Sequence, residues 1–222
     1  MKHVPVALLV SVAVAPAAHA VSFAERCPDV ATCARVVADL LNQKYLFDAD
    51  LKGTPGKTLA TSNLELTSSN AELLFTTMLH QNGLTRVPLG EAGTFQILRQ
   101  RDARDSVLPV LEATQERAPR FPAHWDMVTL KYKATHPEVV EQIALTTRVF
   151  MPANARIVPS ELSGMLLVTA SAMDAKKVYD LIRENDRKPT PEMKKRWAQS
   201  RAETAARATA PDPAPMASPR QN

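Results

Sequence analysis

A short acidic run after residue 47 has the residue types that begin a calcium-binding loop. It reads DADLKG from Asp48 to Gly53. A complete calcium loop also needs an oxygen ligand at its fifth position and a bidentate glutamate at its twelfth. These positions hold Lys52 and Leu59, whose side chains cannot serve as such ligands. We therefore do not interpret this run as a metal site.

A second short run resembles the end of a phosphate-binding loop. Residues 56–58 read GKT, and such a loop holds phosphate through backbone N–H groups of a glycine-rich turn. The position of its first glycine is occupied by Leu51, and Pro55 lacks a backbone N–H. The run therefore does not predict a nucleotide site.

Histidines provide no catalytic or metal-binding pattern either. His80, His124 and His136 belong to three different predicted segments, and no partner stands at the spacing of a metal site. We also find no Gly-x-Ser-x-Gly elbow and no pair of catalytic carboxylates. We therefore expect no catalytic residues, no metal and no cofactor, and we predict that the protein is not an enzyme.

The two cysteines, Cys27 and Cys33, are the remaining reactive side chains. Six positions inside one helix would separate them by a rise of about 9 Å, too far for a bridge. Pro28 and Asp29 allow Cys27 to lie in the turn before a helix instead. In an oxidising compartment this spacing predicts a disulfide that fixes the start of that helix.

The N-terminal residues have the pattern of a secretory signal peptide. A basic start is followed by the apolar run Val4–Ala15 and by the small-x-small site at Ala18–Ala20. We expect cleavage after Ala20, and a mature protein that begins at Val21 outside the cytoplasm. No later run is apolar and long enough to predict a transmembrane segment.

Basic charge is concentrated at the C-terminal end. Residues 21–186 contain 18 Lys and Arg against 20 Asp and Glu, whereas residues 187–222 contain 8 against 3. A basic tail of this kind is either a solvated end or a binding segment for cell-wall polymer or DNA. We predict that residues 189–222 are mostly disordered, with a marginal exposed helix over Glu192–Ala208.

Hydrophobic periodicity predicts an α+β module in the first half of the chain. A helix is expected over Asp29–Gln43. A second helix is expected to open with a capping box at residues 69–72. The predicted strands cover residues 44–48, 57–66, 84–89 and 94–99, and the last two form a hairpin across residues 90–93.

The second half predicts another α+β module with the order strand, helix, strand, strand, helix. An alternating strand begins at Met127 and enters a helix with a capping box at Thr135–Glu138. Two strands, Ala155–Leu162 and Met165–Ala170, meet at a tight turn, and Ser171 is expected to cap the last helix. Together these elements predict a short sheet with helices on one face.

Proline-rich sequence separates the two modules. Because Pro109, Pro119 and Pro122 disfavour regular structure, we expect residues 105–123 to form an extended linker. The predicted organisation is then a signal peptide at 1–20, a first domain at 21–104, the linker at 105–123, a second domain at 124–188 and the tail at 189–222.

Three runs of the second module resemble the periplasmic N-terminal repeat of bacterial secretins, the outer-membrane ring channels of type II and III secretion and type IV pili. They are VTLKY at 128–132, RIVPSELSGMLLVTA at 156–170 and VYDLIRENDRKP at 178–189. Residues 160–166 (SELSGML) depart from the Asp-x-x-x-Asn-x-Leu passage that is common in that repeat. The resemblance therefore depends on pattern more than on an invariant motif.

The first module resembles the first N-terminal domain of secretins, which TonB-dependent signalling receptors share. The runs that carry this resemblance are YLFDADLKGT at 45–54, SSNAELLFTTMLHQNGL at 68–84 and TFQILRQRD at 94–102. The resemblance implies two small mixed sheets with packed helices, the second being KH-like. It also implies a non-enzymatic periplasmic adaptor or accessory protein of a secretion or pilus system. The barrel domain of a secretin is missing from the sequence, so we do not expect this chain to form the pore itself.

The same resemblance implies partners: a secretin channel, which would hold the protein at the outer membrane, inner-membrane secretion or pilus components, or further copies in a ring. Two strands are expected to lie at sheet edges, where they could accept a partner strand. Lys131, Lys133 and Arg99 provide the alternative, an edge protected by charge. The candidate docking residues are Thr94, Gln96, Leu98, Val128, Leu130 and Tyr132.

Two other functions remain open at this stage. A stand-alone signalling module would use the first domain as TonB-linked receptors do. A binder of cell-wall polymer or DNA would use the basic tail, although the second module lacks the Gly-x-x-Gly loop with which KH domains clamp nucleic acid. We therefore expect no stable nucleic-acid binding by the folded modules.

Overall fold

The computed structural model describes residues 22–47 and 64–209, which form two compact units. The first unit extends to Val107 and also includes His124–Asp126, whereas the second comprises Leu108–Ala123 and the chain from Met127 onward. Several predictions lie outside the described residues: the signal peptide, the calcium-like and phosphate-like runs, most of the predicted strand 57–66, and the last part of the tail.

In its described residues, the first unit contains two main helices, a three-stranded sheet and two short helical turns. Asp29 caps the first main helix, because its carboxylate accepts a hydrogen bond from the Thr32 backbone N–H at 2.8 Å. The elements are α1 (Phe23–Arg26), α2 (Val30–Leu41), β1 (Lys44–Phe47), α3 (Ala71–Gln81), β2 (Leu84–Pro88), β3 (Thr94–Arg99) and α4 (Gln100–Ala103). The predicted helix at 29–43, the strand at 44–48 and the hairpin are confirmed.

Strand order in this sheet is β1-β3-β2. The hairpin strands β2 and β3 pair antiparallel, while β1 pairs parallel to β3 with Lys44 opposite Thr94. Apolar side chains of α2 and α3 pack onto the sheet and bury Val30, Val37, Phe75, Leu79 and Ile97. The unit is therefore a small mixed sheet with helices packed against it.

The predicted capping box at residues 69–72 is wrong. Helix α3 begins at Ala71, and its N-cap residue Asn70 makes no side-chain cap hydrogen bond. The Asn70 amide instead bonds the backbone of Thr67 and Glu65, both at 2.9 Å. The Ser69 hydroxyl lies 2.9 Å from the Thr67 hydroxyl, and Glu72 pairs with the guanidinium of Arg86, so both members of the box are engaged elsewhere.

The second unit has the predicted order of elements with one additional strand in front. Ser171 caps the helix after the last strand, as predicted, because its hydroxyl accepts a hydrogen bond from the Asp174 N–H at 3.1 Å. The elements are β4 (Val110–Thr114), β5 (Met127–Lys133), a 3-10 turn (Pro137–Val139), α5 (Val140–Arg148), β6 (Arg156–Ser160), β7 (Met165–Ser171), α6 (Ala172–Asn185) and α7 (Pro191–Thr209).

Strand order in the second sheet is β4-β5-β7-β6. Strand β4 is parallel to β5, and the other neighbours are antiparallel. One face of the sheet packs against α5 and α6 and buries Leu130, Tyr132, Val140, Val168 and Ile182. Gly164 joins β6 to β7 with a φ of +63°, and a Cβ there would lie 3.0 Å from the ring of Pro137. Glycine is therefore favoured at this turn by both conformation and space.

The prediction of an extended linker over residues 105–123 is wrong for its central part. Residues 110–114 form β4 and pair in register with residues 129–133 of β5. Pro109 precedes the strand, a position where proline is compatible with a sheet. The segment therefore contributes to the core of the second unit through Ala113, which is buried.

The predicted capping box at Thr135–Glu138 is also wrong. The N–H groups of Thr135 and His136 donate to the carboxylate of Asp186, at 2.8 and 3.0 Å. The hydroxyl of Tyr132 donates to the same carboxylate at 2.8 Å. A buried acidic group that is distant in sequence thus replaces the local cap, and burial together with this hydrogen bond raises the pKa of Tyr132.

The predicted helix at Glu192–Ala208 is confirmed as α7, whereas the prediction that residues 189–222 are mostly disordered is wrong for Pro191–Thr209. The helix begins one residue earlier, with Pro191 in its first turn, where the missing N–H costs no hydrogen bond. Trp197 packs partly buried against the core of the second unit, and its neighbours on α7 are exposed. Within the described ranges, no helix has the length and hydrophobicity that crossing a bilayer requires.

Candidate functional site

The predicted disulfide is present in the first unit. Cys27 ends α1 and Cys33 lies in the first turn of α2, with their Cα atoms 4.3 Å apart. Both residues are buried beside Phe23 and Val37. The bridge therefore holds the short first helix against the core, as the spacing of the two cysteines predicts.

Replacing both cysteines with alanine is expected to lower the free energy of unfolding of the first unit by about 2 kcal/mol, because the short loop is no longer closed. The protein has two tryptophans, Trp125 in the first unit and Trp197 in the second. Trp125 fluorescence during urea unfolding, in a Trp197→Phe background, measures the change. Dithiothreitol should destabilise the parent protein and leave the double variant unaffected. If the parent protein and the double variant are equally stable without dithiothreitol, the prediction is contradicted.

A buried cation, Arg86 on β2, organises the first unit. Its side chain is 1% exposed, and its Nε donates to Oδ2 of Asp126 at 2.8 Å. A second guanidinium nitrogen contacts the Gln43 amide oxygen at 3.0 Å and the Tyr45 hydroxyl at 3.2 Å, and the third pairs with Glu72. The guanidinium carbon also lies 4.5 Å from the centroid of the Phe95 ring. The group thus connects α3, β1 and β3 with residues 124–126.

The neighbouring acidic group keeps the Arg86 guanidinium charged. Although burial alone would lower the pKa of Arg86, the neighbouring carboxylate of Asp126 raises it overall. Burial raises the pKa of Asp126, an effect that Arg86 opposes, and burial also raises the pKa of Tyr45. All three nitrogens of the guanidinium donate to protein groups, so we interpret the cluster as structural.

The structure contradicts the first predicted docking edge. Thr94, Gln96 and Leu98 lie on β3, which is the central strand between β1 and β2. The predicted hairpin correctly makes β2 one neighbour of this strand. The second neighbour, β1, pairs parallel from a distant part of the chain, and local sequence carries no signal for such a pairing.

The second predicted docking edge is wrong for the same reason. Val128, Leu130 and Tyr132 lie on β5, which is central between β4 and β7, and all three are buried on the helix side of the sheet. Strand β4 occupies the edge that was expected to be free. Apolar and polar residues alternate over residues 111–114, which is a local signal for this strand, whereas Pro109 and Pro119 disfavour regular structure.

Among the described strands, the outer positions of the second sheet belong to β4 and β6. These strands border a sheet face opposite α5 and α6, which we call the open sheet face. Its side chains follow from the strand registers. The open sheet face consists of Val110, Glu112, Thr114, Thr129, Lys131, Lys133, Met165, Leu167, Thr169, Arg156, Val158 and Ser160.

This face combines exposed apolar groups with cations. Val110 is 57% exposed, Leu167 39% and Val158 36%. Lys131 pairs with Glu112 at 3.1 Å, and Lys133 is exposed beside them. Such a mixed surface next to an outer strand can bind another polypeptide.

No group of three or more histidine, cysteine or acidic side chains in the described part of the chain has the arrangement of a metal site. His80 stacks on Trp125 with ring centroids 4.4 Å apart, and Nδ1 of His124 accepts from the Asp126 N–H at 3.3 Å. The described histidines thus take part in ring packing and hydrogen bonding.

Comparison with known proteins gives matches in structure only. The sequence matches no protein-family model and no curated protein. In structure, the chain is similar to a chain of the Klebsiella pneumoniae type II secretion system outer membrane complex, which contains PulD, PulS and the PulC HR domain. The TM-score is 0.55 at 20% identity, and the alignment covers 72% of this chain and 26% of that chain. This protein therefore spans about a quarter of the length of the Klebsiella chain that it matches.

Two further matches are weaker. The N-terminal domain of the secretin XcpQ from Pseudomonas aeruginosa aligns at 15% identity and a TM-score of 0.27, over 73% of this chain and 63% of that one. The GspC–GspD complex of enterotoxigenic Escherichia coli aligns at 13% identity and a TM-score of 0.25, over 71% and 92%. The assignment rests on the Klebsiella complex and on the two α/β units, which show that this chain has a secretin N-domain-like fold.

Proposed function

We propose that this protein is a non-enzymatic periplasmic adaptor or accessory component of a secretin-dependent secretion or type IV pilus system. Its partners would be a secretin channel, which would place it at the outer membrane, or inner-membrane components of the same machine. The observation that carries the proposal is the structural similarity to a type II secretion outer membrane complex over 72% of the chain.

Features of the chain itself support this role. Signal-peptide character at residues 1–20 and the Cys27–Cys33 disulfide are both typical of an exported protein. The outer strands of the second sheet and its open sheet face provide surface for protein–protein docking. No chemistry is needed for such a role, since docking requires surface complementarity and not a reactive group.

Site-specific crosslinking in native cell envelopes tests the proposal. A photoreactive amino acid is placed at Val110 on β4 or Val158 on β6, and at Lys176 on the exposed side of α6 as a matched control. The tagged full chain is then recovered and its adducts are identified by mass spectrometry. We expect a secretin, an inner-membrane platform protein or a pilus component at Val110 or Val158 and not at Lys176.

Other outcomes would overturn the adaptor role. Adducts with a receptor or an anti-sigma regulator would identify a signalling module instead. Recovery of the protein alone, in repeated experiments, would leave no partner for an adaptor. A third outcome is that all adducts are lost when residues 187–222 are deleted, and are lost equally at high salt. This result would indicate that the basic tail binds polymer or DNA.

A further inference from the structure

The open sheet face contains a cavity of about 380 Å³ at the end of the sheet where β4 finishes. Strands β4, β5 and β7 and the two turns beside them line it. The lining residues are Glu112, Ala113, Thr114, Arg117, Lys131, Lys133, Ser163 and Met165.

Positive charge exceeds negative charge around this cavity. Lys131, Lys133 and Arg117 contribute three cations, and Glu112 contributes one carboxylate, which pairs with Lys131 at 3.1 Å. Within the described ranges, no carboxylate lies at ion-pair distance from Lys133 or from Arg117. Two exposed cations therefore remain available to an incoming anionic group.

The backbone of β4 borders the cavity with unused hydrogen-bonding groups. In a parallel pair, alternate residues direct their N–H and C=O groups to the same neighbour. The Thr129 N–H donates to the Pro109 carbonyl at 2.9 Å, so the backbone groups of Val110 and Glu112 point away from β5. Thr114 ends this edge, because its N–H donates to the Arg117 carbonyl at 3.1 Å. An extended segment of two to four residues can pair along this edge.

Apolar groups continue the same surface. Leu167 lies beside Lys131 across the β5–β7 pair, and Val158 lies beside Leu167 across the β6–β7 pair. The cations of β5 therefore lie next to a band of aliphatic groups on β7 and β6. A peptide paired with the outer edge of β4 directs every second side chain to this face, so acidic residues at alternate positions match its excess of positive charge.

We propose that the open sheet face binds an acidic, extended peptide segment of a partner protein, which pairs with the outer edge of β4 and places a carboxylate between Lys133 and Arg117. A polypeptide fits better than a lipid surface or a nucleic acid, because the site combines an open strand edge and aliphatic groups with only two unpaired cations. The inference deepens the proposed docking function and rests on it for the source of the segment.

Fluorescence anisotropy with the full chain tests the site. The probe is a fluorescein-labelled nine-residue peptide in which glutamate alternates with valine and threonine, and its twin carries glutamine in place of each glutamate. We expect saturable binding of the acidic peptide that weakens with added salt, and binding of the twin that is weaker by about tenfold.

Two kinds of variant separate charge from strand pairing. The double change Lys133→Gln with Arg117→Gln is expected to weaken binding of the acidic peptide about tenfold. The control Lys176→Gln with Lys188→Gln removes the same charge from exposed positions outside the cavity lining and should leave affinity unchanged. Val110→Pro removes an outward N–H from an outer strand and should also weaken binding about tenfold. Circular dichroism checks that each variant remains folded.

Several results would overturn the inference. The inference is wrong if the acidic peptide does not bind saturably, or if its glutamine twin binds with equal affinity. It is also wrong if the Lys133/Arg117 variant binds the acidic peptide as tightly as the parent protein does. Tighter, variant-sensitive binding to phosphatidylglycerol vesicles or to single-stranded DNA would identify another class of ligand. If Val110 crosslinks to a secretion component in envelopes while the acidic peptide fails, the docking function stands and this inference falls. Variant-sensitive peptide binding without any envelope partner would support the peptide site and contradict the proposed docking function.

Discussion

Replacing Arg86 with methionine is expected to lower the free energy of unfolding of the first unit by about 3–5 kcal/mol. The guanidinium is 1% exposed and pairs with the buried carboxylate of Asp126 at 2.8 Å. Methionine fills similar space but leaves Asp126 buried without its cation. It also removes the donor to the Tyr45 hydroxyl oxygen and one of the two donors to the Gln43 amide oxygen. Removing one member of a buried ion pair is among the most destabilising single changes.

Urea unfolding followed by Trp125 fluorescence in a Trp197→Phe background measures this loss for the first unit. Arg99→Met, at an exposed position of β3, is the matched control and should change stability by less than about 0.5 kcal/mol. Combining Arg86→Met with Asp126→Asn should restore part of the loss, because no uncompensated charge then remains buried. A loss below about 1 kcal/mol for Arg86→Met would show that the cluster does not stabilise the unit.

Replacing Asp186 with alanine is expected to lower the free energy of unfolding of the second unit by about 3 kcal/mol. This buried carboxylate accepts three hydrogen bonds, from the Tyr132 hydroxyl and from the N–H groups of Thr135 and His136, at 2.8–3.0 Å. Alanine leaves these donors without an acceptor and removes the cap at the start of the 3-10 turn and α5.

Trp197 fluorescence in a Trp125→Phe background, together with far-ultraviolet circular dichroism, follows this unit during urea unfolding. Asp180→Ala on the exposed side of α6 is the matched control, with an expected change below about 0.5 kcal/mol. Tyr132→Phe removes only one of the three donors and should cost about 1 kcal/mol. If Asp186→Ala and Asp180→Ala have equal effects, the carboxylate is not the cap that we describe.

Most elements of this protein and several of its short-range contacts were predictable from the sequence, whereas β4 was missed and both predicted capping boxes are wrong. Helix α2 follows from its apolar periodicity and from Asp29, the hairpin from its glycine turn, and the disulfide from the position of Cys27 before the helix. Each of these features depends on residues within a few positions of each other. The physical preferences of the local chain therefore decide them before any tertiary contact forms.

Local sequence patterns gave wrong predictions where a residue distant in sequence binds the groups that a local cap would bind. The box at Thr135–Glu138 has suitable residues for a cap, but Asp186 accepts the same N–H groups from about fifty positions away. In the same way, Glu72 pairs with Arg86 and is not part of a cap. A buried, fully hydrogen-bonded carboxylate competes successfully with an exposed local cap, because its hydrogen bonds form in a lower dielectric.

The sequence by itself determined the two α+β modules, the order of their main elements apart from β4, and the disulfide. Only the tertiary structure decided which strands are central and which are outer. The parallel pairs β1–β3 and β4–β5 are joined by long connections and not by a short turn, so the local sequence does not predict them. The residues predicted at free edges therefore lie on central strands. The outer strand β4 and the open sheet face beside it, where Val110 is exposed, are the docking surface that we propose instead.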